Sequence, residues 1–309
     1  SGVSGLATKT SAVEWLLASI FAHFPEKKGR VAAVCFNVKG PDLCFLDQPA
    51  TKLDDADRAL YERLGVPAEP FRNVEYYAPY TAKGYALNTL RSNEALTHNV
   101  KPLTWGLREV LQYAEVLLNK DDVDAKADAL IDFIKERVVD QEFSDPKYLT
   151  ATHRVQSFGE LERWFRDLLT GMEKQNAESW RTHHVATIRK VRNRLTNIST
   201  RCRGLVTDDG TVSDLPFGEF RDRGVYVVDV ANLEADAQDL LFSRIVSQLR
   251  EHLEKRDLGV EHVIVFVDEL NKYAPSDGPD TYVRAMLLDI AERGRYLGLV
   301  ICAAQQFRS

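Results

Sequence analysis

Apolar residues fall along this chain in two rhythms. Short unbroken runs, rich in β-branched residues, occur at Val31–Phe36, Val225–Val230, Val263–Val267 and Leu299–Ala304. Runs of that length and composition predict buried strands. Because they are continuous rather than alternating, both faces of each strand need cover, as in a parallel sheet between helix layers. Elsewhere the apolar positions repeat at helical spacing. Ser11–Phe24 places Val13, Leu16, Leu17 and Ile20 on one stripe, and Asp239–Arg256 repeats Leu241, Ile245, Leu249 and Leu253 before a stop at Gly259. Tyr282–Arg295 does the same with Val283, Met286, Leu287 and Ile290. Strand and helix in alternation predict an α/β fold with a mostly parallel, doubly wound sheet flanked by helices.

One long stretch breaks the alternation. From about 49 to 203 the chain is first punctuated by proline and charge around Pro67–Pro79, then turns helical. Trp105–Asn119, Asp124–Val138 and Phe158–Lys174 each carry an apolar stripe, the last through Phe158, Leu161, Phe165, Leu168 and Leu169. The expected organisation is therefore a core from 1–48 and 204–309, with 49–203 a mainly helical insertion. The chain also opens on a Gly/Ser/Thr segment with no apolar run before it. A phosphate-binding loop joins a strand to a helix, so the expectation is that a lead strand is missing and the chain is part of a longer protein.

Composition changes this picture little. The 309 residues are 44% hydrophobic and 28% charged, an ordinary globular balance. No apolar run reaches the ~18 residues of a membrane span, and nothing resembles a signal peptide. The expectation is thus a chain with no membrane partner. Cys35, Cys44, Cys202 and Cys302 are far apart, which argues against a zinc site or a disulfide framework and for a reducing, cytoplasmic setting. The formal charge of −6 gives no global pull toward nucleic acid, so any such contact must be local.

Two segments carry candidate chemistry. Gly2-Val3-Ser4-Gly5-Leu6-Ala7-Thr8-Lys9-Thr10-Ser11 runs directly into an amphipathic helix. In a Walker A loop, backbone N–H groups and a helix N-terminus wrap the phosphates, a lysine reaches the β/γ-phosphates and the next hydroxyl binds Mg²⁺. Lys9 and Thr10 stand where those jobs are done. Thr8, however, occupies the place of the usual glycine, and Gly2 is one residue too distant. A helix N-cap is the simpler reading of such a cluster taken alone. The second segment, His262-Val-Ile-Val-Phe-Val-Asp268-Glu269, is an apolar strand that ends in two acids. Asp268 at a sheet's C-terminal edge can hold Mg²⁺, and Glu269 can orient and polarise an attacking water. Taken alone, it also reads as a buried strand followed by a solvated acidic turn. The two segments together point to nucleoside triphosphate hydrolysis.

The Walker B-like stretch with its continuation, Phe266-Val-Asp-Glu-Leu-Asn-Lys-Tyr-Ala-Pro275, resembles the RecA-like P-loop ATPases of the HerA/FtsK type. Cys35-Phe-Asn-Val-Lys-Gly-Pro-Asp-Leu-Cys-Phe-Leu-Asp47 resembles that group's second strand. Ala291-Glu-Arg-Gly-Arg-Tyr-Leu-Gly-Leu299, with Gln305-Gln306 after the following strand, is similar to its arginine and sensor region. The likeness covers about 1–47 and 204–309, and the helical insertion lies outside it. It implies ATP and Mg²⁺ as cofactors, Gly5, Leu6, Ala7, Thr8, Lys9, Thr10 and Ser11 around the phosphates, and Thr10 and Asp268 on the metal. It further implies Glu269 as the water-orienting acid and Gln305 or, by spacing, Gln306 near the γ-phosphate. Arg293 or Arg295 would be the arginine that completes a neighbour's site; their alternative role is to cap a helix C-terminus. A hexameric ring that translocates or unwinds DNA is the implied assembly. The alternative is a nucleotide-binding switch or scaffold that hydrolyses slowly and recruits an effector such as a nuclease, a reading the altered Walker A loop favours.

Weaker features add little. From Ser179 to Arg203 there are seven basic residues (Arg181, Arg189, Lys190, Arg192, Arg194, Arg201, Arg203) and no acid. They could track a phosphate backbone, but a solvated or acid-paired face is the plainer expectation. Asp121, Asp122 and Asp124 lack the glycine and distal glutamate of a calcium loop. His183-His184 has no companion ligands and reads as structural, and the sequon at Asn197 reads as accidental.

Overall fold

The structure, a computed structural model, describes residues 8–50, 53–84, 86–91, 94–113, 125–208, 211–268, 270 and 282–304. Its centre is a six-stranded sheet built from β1 (Val31–Asn37), β2 (Val74–Ala78), β3 (Val100–Pro102), β4 (Val225–Asp229), β5 (His262–Asp268) and β6 (Leu299–Ala304). The order is β6-β5-β1-β4-β2-β3, and every neighbouring pair is parallel. The four continuous apolar runs are the four adjacent strands β6, β5, β1 and β4. β5, β1 and β4 are buried on both faces, which explains why they lack alternation, whereas β6 is an edge strand and leaves Val300 48% exposed.

Two strands were not legible as such. β2 and β3 lie inside the 49–203 stretch and extend the sheet beyond β4. Val74-Glu-Tyr-Tyr-Ala78 and Val100-Lys-Pro102 mix charged and apolar residues because they lie toward the edge of the sheet, where burial is incomplete. The segment read as a helical insertion therefore also supplies part of the sheet.

Helices cover both faces. On one, α1 (Thr8–His23) sets Leu17 and Phe21 against Val31, Ala33, Cys35, Val225, Val227, Ile264 and Phe266. Val13, Ile20 and Phe24 pack at the margin of this cluster. Leu16, expected on the buried stripe, is 38% exposed instead, because the 3.6-residue period turns it away from Leu17 and Phe21.

On the opposite face lie α6 (Ala235–Lys255) and α7 (Tyr282–Leu297). Phe242 meets Phe36 with ring centroids 5.0 Å apart. This cluster continues without a break into the helical body of α3 (Ala125–Arg137), α4 (Phe158–Lys174) and α5 (Val185–Arg201). The helices of the insertion thus share one core with the sheet. Gly204, at φ 94°, carries the chain back from that body; a Cβ there would lie 2.1 Å from the Tyr80 carbonyl oxygen, so only glycine fits.

α2 (Asp55–Leu64) starts with a capping box in which Asp54 and Asp57 exchange side-chain-to-backbone bonds, and it ends on the left-handed Gly65. No described helix is long and apolar enough to cross a membrane.

Candidate functional site at the C-terminal edge of the sheet

The polarity of the sheet fixes where the candidate residues stand. Near the C-terminal end of α1, the Phe21 carbonyl accepts from Arg223 Nε at 2.9 Å, and Arg223 N donates to the Val31 carbonyl at 2.6 Å. Phe24, just beyond the helix, meets the His262 ring at a tilt, with centroids 5.2 Å apart. All of these partners stand at strand beginnings, so α1 ends at the N-terminal edge of the sheet. A 16-residue helix is about 24 Å long. Packed antiparallel on the strands through Leu17 and Phe21, α1 brings its first turn to the opposite, C-terminal edge. Burial pushes the Glu14 carboxyl up, and Asp42 beside it adds to the rise. Asp42 follows β1, so this coupling places the N-terminal half of α1 at the same edge.

The first turn of α1 contains Thr8, Lys9 and Thr10. β5 ends on Asp268 at that edge, and Ala304, the last residue of β6, is its register partner. The first turn of α1 and the end of β5, about 260 residues apart in sequence, therefore stand at the same edge of the sheet. Gly5, Leu6, Ala7, Glu269, Gln305 and Gln306 lie outside the described residues, as do the side chains of Thr8, Lys9, Thr10, Asp268 and Arg295 and the residues Asp121, Asp122 and Asp124. Ser11 lines a cleft of about 770 Å³ with Glu14, Trp15, Phe45, Tyr61 and Phe71. The candidate donors Thr10 and Asp268 offer only oxygen, the chemistry that suits Mg²⁺. Among the described residues no cluster of His, Cys, Asp and Glu is grouped to hold a metal ion.

Arg293 is not at this edge. It precedes Gly294, where a Cβ would lie 2.4 Å from the carbonyl oxygen of Leu299, the first residue of β6. Five residues of strand, about 17 Å, separate Leu299 from Ala304. Arg293 is 69% exposed and its Nε sits 3.1 Å from Asp289, which also pairs with Arg250. Arg293 thus stands toward the far edge of its own sheet.

A second set of residues at the C-terminal edge was missed in the sequence. Asp229, the last residue of β4, is 4% exposed and accepts from Asn37 Nδ2 at 2.9 Å, Thr89 Oγ1 at 2.9 Å and Leu90 N at 2.5 Å. Next to it Arg91, fully buried, grips Asp47 through both terminal nitrogens at 2.9 and 2.7 Å and donates to the Cys44 carbonyl at 2.5 Å. Its guanidinium lies 3.9 Å from the Tyr76 ring centroid, and the Tyr76 hydroxyl donates to Asp47 at 2.7 Å. Burial alone would raise the Asp47 carboxyl; hydrogen bonds from Arg91 and Tyr76 reverse that and hold it below its ordinary value. Burial and Asp229 push the Cys44 thiol up, so it stays protonated and donates to Asp229 at 3.5 Å. Asn37, Cys44 and Asp47 fall in the Cys35–Asp47 stretch that carries part of the family resemblance, but no sequence signal marks Thr89, Arg91 or Asp229.

The basic helix behaves as the plainer expectation has it in part. In α5, Arg192 approaches Glu162 at 3.9 Å and Arg201 meets Asp236 at 2.7 Å, while Arg189 is exposed. His183 is buried beside Trp180.

No protein-family profile matches the chain, and no curated protein is similar to it. Solved structures are, and two stand among them. Both are of a bacterial conjugative coupling protein, TrwBdeltaN70. The trigonal form in complex with sulphate is 13% identical with a TM-score of 0.42, over 89% of this chain and 62% of that one. The unbound monoclinic form is 14% identical with a TM-score of 0.40, over 90% and 63%. The chain therefore spans under two thirds of the length of those structures. Similarity at this level leaves the functional argument to the residues themselves.

Proposed function

We propose that this chain is the catalytic core of a Mg²⁺-dependent, RecA-like ATPase of the HerA/FtsK type, acting as an oligomeric ring that moves DNA. The observation that carries the reading is that the first turn of α1, with Lys9 and Thr10, and the end of β5 at Asp268 stand at one edge of the sheet. The first-turn N–H groups of α1 and the preceding small-residue loop bind phosphate oxygens, and Lys9 neutralises the β/γ-phosphates. Thr10 and Asp268 are the residues that would hold Mg²⁺, which when bound offsets charge on the phosphates. Glu269 orients the attacking water and takes its proton, and Gln306, with Gln305 beside it, contacts the γ-phosphate.

The position of Arg293 supports a ring. It is about 17 Å of strand away from its own Asp268 edge, so it and Arg295 complete a site only across a subunit boundary. The alternative, a slow-hydrolysing switch that recruits an effector, draws its support from Thr8 in place of the loop glycine.

The test mixes two inactive forms. Glu269→Gln keeps ATP binding and loses nearly all hydrolysis; Arg293→Ala/Arg295→Ala also binds and is slowed by orders of magnitude. Mixed rings regain activity, because some interfaces pair an intact acid with intact arginines. Mixed rings that form and stay silent would place the arginines outside a shared site. Lys9→Ala, which loses ATP binding, serves as the control for the phosphate site. Strong stimulation of wild-type hydrolysis by duplex DNA favours the motor, and its absence favours the switch.

A further inference from the structure

β4, β1 and β5 are adjacent and parallel, and each is an apolar run that turns polar at its last residue: Asp229, Asn37 and Asp268. Asn37 is the register partner of Asp229, and Phe36 is the partner of Val267. One residue further on, Asn37 and Asp268 share a row. The C-terminal edge thus carries an aspartate, an asparagine and an aspartate at the ends of three neighbouring strands, whose backbones are about 4.8 Å apart.

The first two members are firmly held. Asn37 is 1% exposed and Asp229 4%. Besides Asn37 Nδ2, Thr89 Oγ1 and Leu90 N, Asp229 accepts from Ala231 N at 3.4 Å and Cys44 Sγ at 3.5 Å. A buried carboxylate with five donors has no lone pair to spare for a cation. It is an anchor, and it fixes the amide of Asn37 by its nitrogen. Because β1 lies between β4 and β5, the two acids end strands two spacings apart, about 9.6 Å, and Asn37 makes the position between them neutral. Carboxylates on adjacent strands would repel each other about twice as strongly, since Coulomb energy falls as the reciprocal of distance.

We infer that Asn37, fixed by Asp229, is a positioning residue for the Asp268 end of β5, a neutral spacer that sets the charge available there for a divalent cation. The inference rests on the proposed role of Asp268.

The double substitution Asn37→Asp/Asp229→Asn tests it. An amide and a carboxylate still face each other, and the net charge is unchanged, but the negative charge moves one strand toward Asp268. Nucleotide affinity is measured by calorimetry with Mg²⁺ titrated in, and again in EDTA. The expected result is Mg²⁺ half-saturation lowered about tenfold, the scale of one charge brought one strand closer, with the EDTA affinity unchanged. A folded double variant whose Mg²⁺ dependence stays within twofold of wild type overturns the inference. Asn37→Ser gives a second arm that does not depend on the swap folding: it keeps a donor for Asp229 and removes the amide. It should weaken nucleotide binding severalfold in Mg²⁺ and not in EDTA; equal loss in both, or none, overturns the inference. A wild type that binds nucleotide in neither condition overturns the proposed function itself and this inference with it, whereas Mg²⁺-dependent wild-type binding with unmoved variants sinks the inference alone.

Discussion

The helical body around Trp164 buries almost nothing polar, whereas the C-terminal edge of the sheet buries an aspartate, an asparagine and an arginine. In the body, Trp164 packs on Trp180 at 5.8 Å and on Phe143 at 6.1 Å between ring centroids, and Phe133 meets Trp180 at 5.4 Å. Such a cluster is held by area and shape, and its members need only be large and apolar. At the sheet edge every buried charge needs named partners at hydrogen-bond distance. Polar burial of that kind gives little net stability compared with well-packed apolar residues. Its yield is position: Arg91, Asp47 and Asp229 tie three separate segments to the strand ends at which the candidate nucleotide site stands.

Substitutions can break this contrast, beginning with the largest effect. Trp164→Ala removes a fully buried ring from the body and should cost about 3–5 kcal/mol in urea unfolding. Per folded molecule, nucleotide binding should be unchanged, because the body holds no proposed site residue. Arg91→Ala should cost a similar ~3–5 kcal/mol, since it leaves Asp47 without its guanidinium partner. Here the loss should reach nucleotide affinity as well, as the segments behind the strand ends loosen. An Arg91→Ala protein with normal affinity would show that the edge network is purely structural.

A pH titration sharpens the same point. Asp47 has its folded pKa below the unfolded value, so its contribution is complete above the unfolded carboxylate range, about pH 4. It fades as pH falls through the depressed folded value. Wild type should therefore lose stability in that acid window more steeply than Asp47→Asn, as read from unfolding midpoints at stepped pH. Parallel curves for the two proteins would remove Asp47 from the account. The smallest effect belongs to the surface: Arg201→Ala, whose side chain is 60% exposed in its pair with Asp236, should change stability by less than ~1 kcal/mol.

The difference between these regions also explains what could be read in advance. Apolar periodicity marked α4 from Phe158 to Lys174 residue for residue, because a wide hydrophobic stripe leaves an unambiguous trace. The strands β6, β5, β1 and β4 were legible for the same reason. β2 was not: Glu75 within it takes the Tyr77 hydroxyl and Lys101 as partners at 2.6 and 2.8 Å, so a charged residue sits comfortably in a strand beside the edge. Asp229 passed unnoticed as the polar end of an apolar run. Its partners Cys44 and Thr89 stand 185 and 140 residues away, and no local pattern encodes contacts at such separations.

The sequence by itself determined the class of fold, four of the six strands and the chemistry on offer in Lys9-Thr10 and Asp268-Glu269, because each is written in neighbouring residues. Only the tertiary structure decided that the first turn of α1 and the end of β5 share one edge, that β2 and β3 extend the sheet, and that Arg293 stands toward the opposite edge from Asp268. The physical reason is strand order. Parallel strands from distant parts of the chain are set side by side by crossovers, and the row Asp229, Asn37, Asp268 exists only once β4, β1 and β5 have paired.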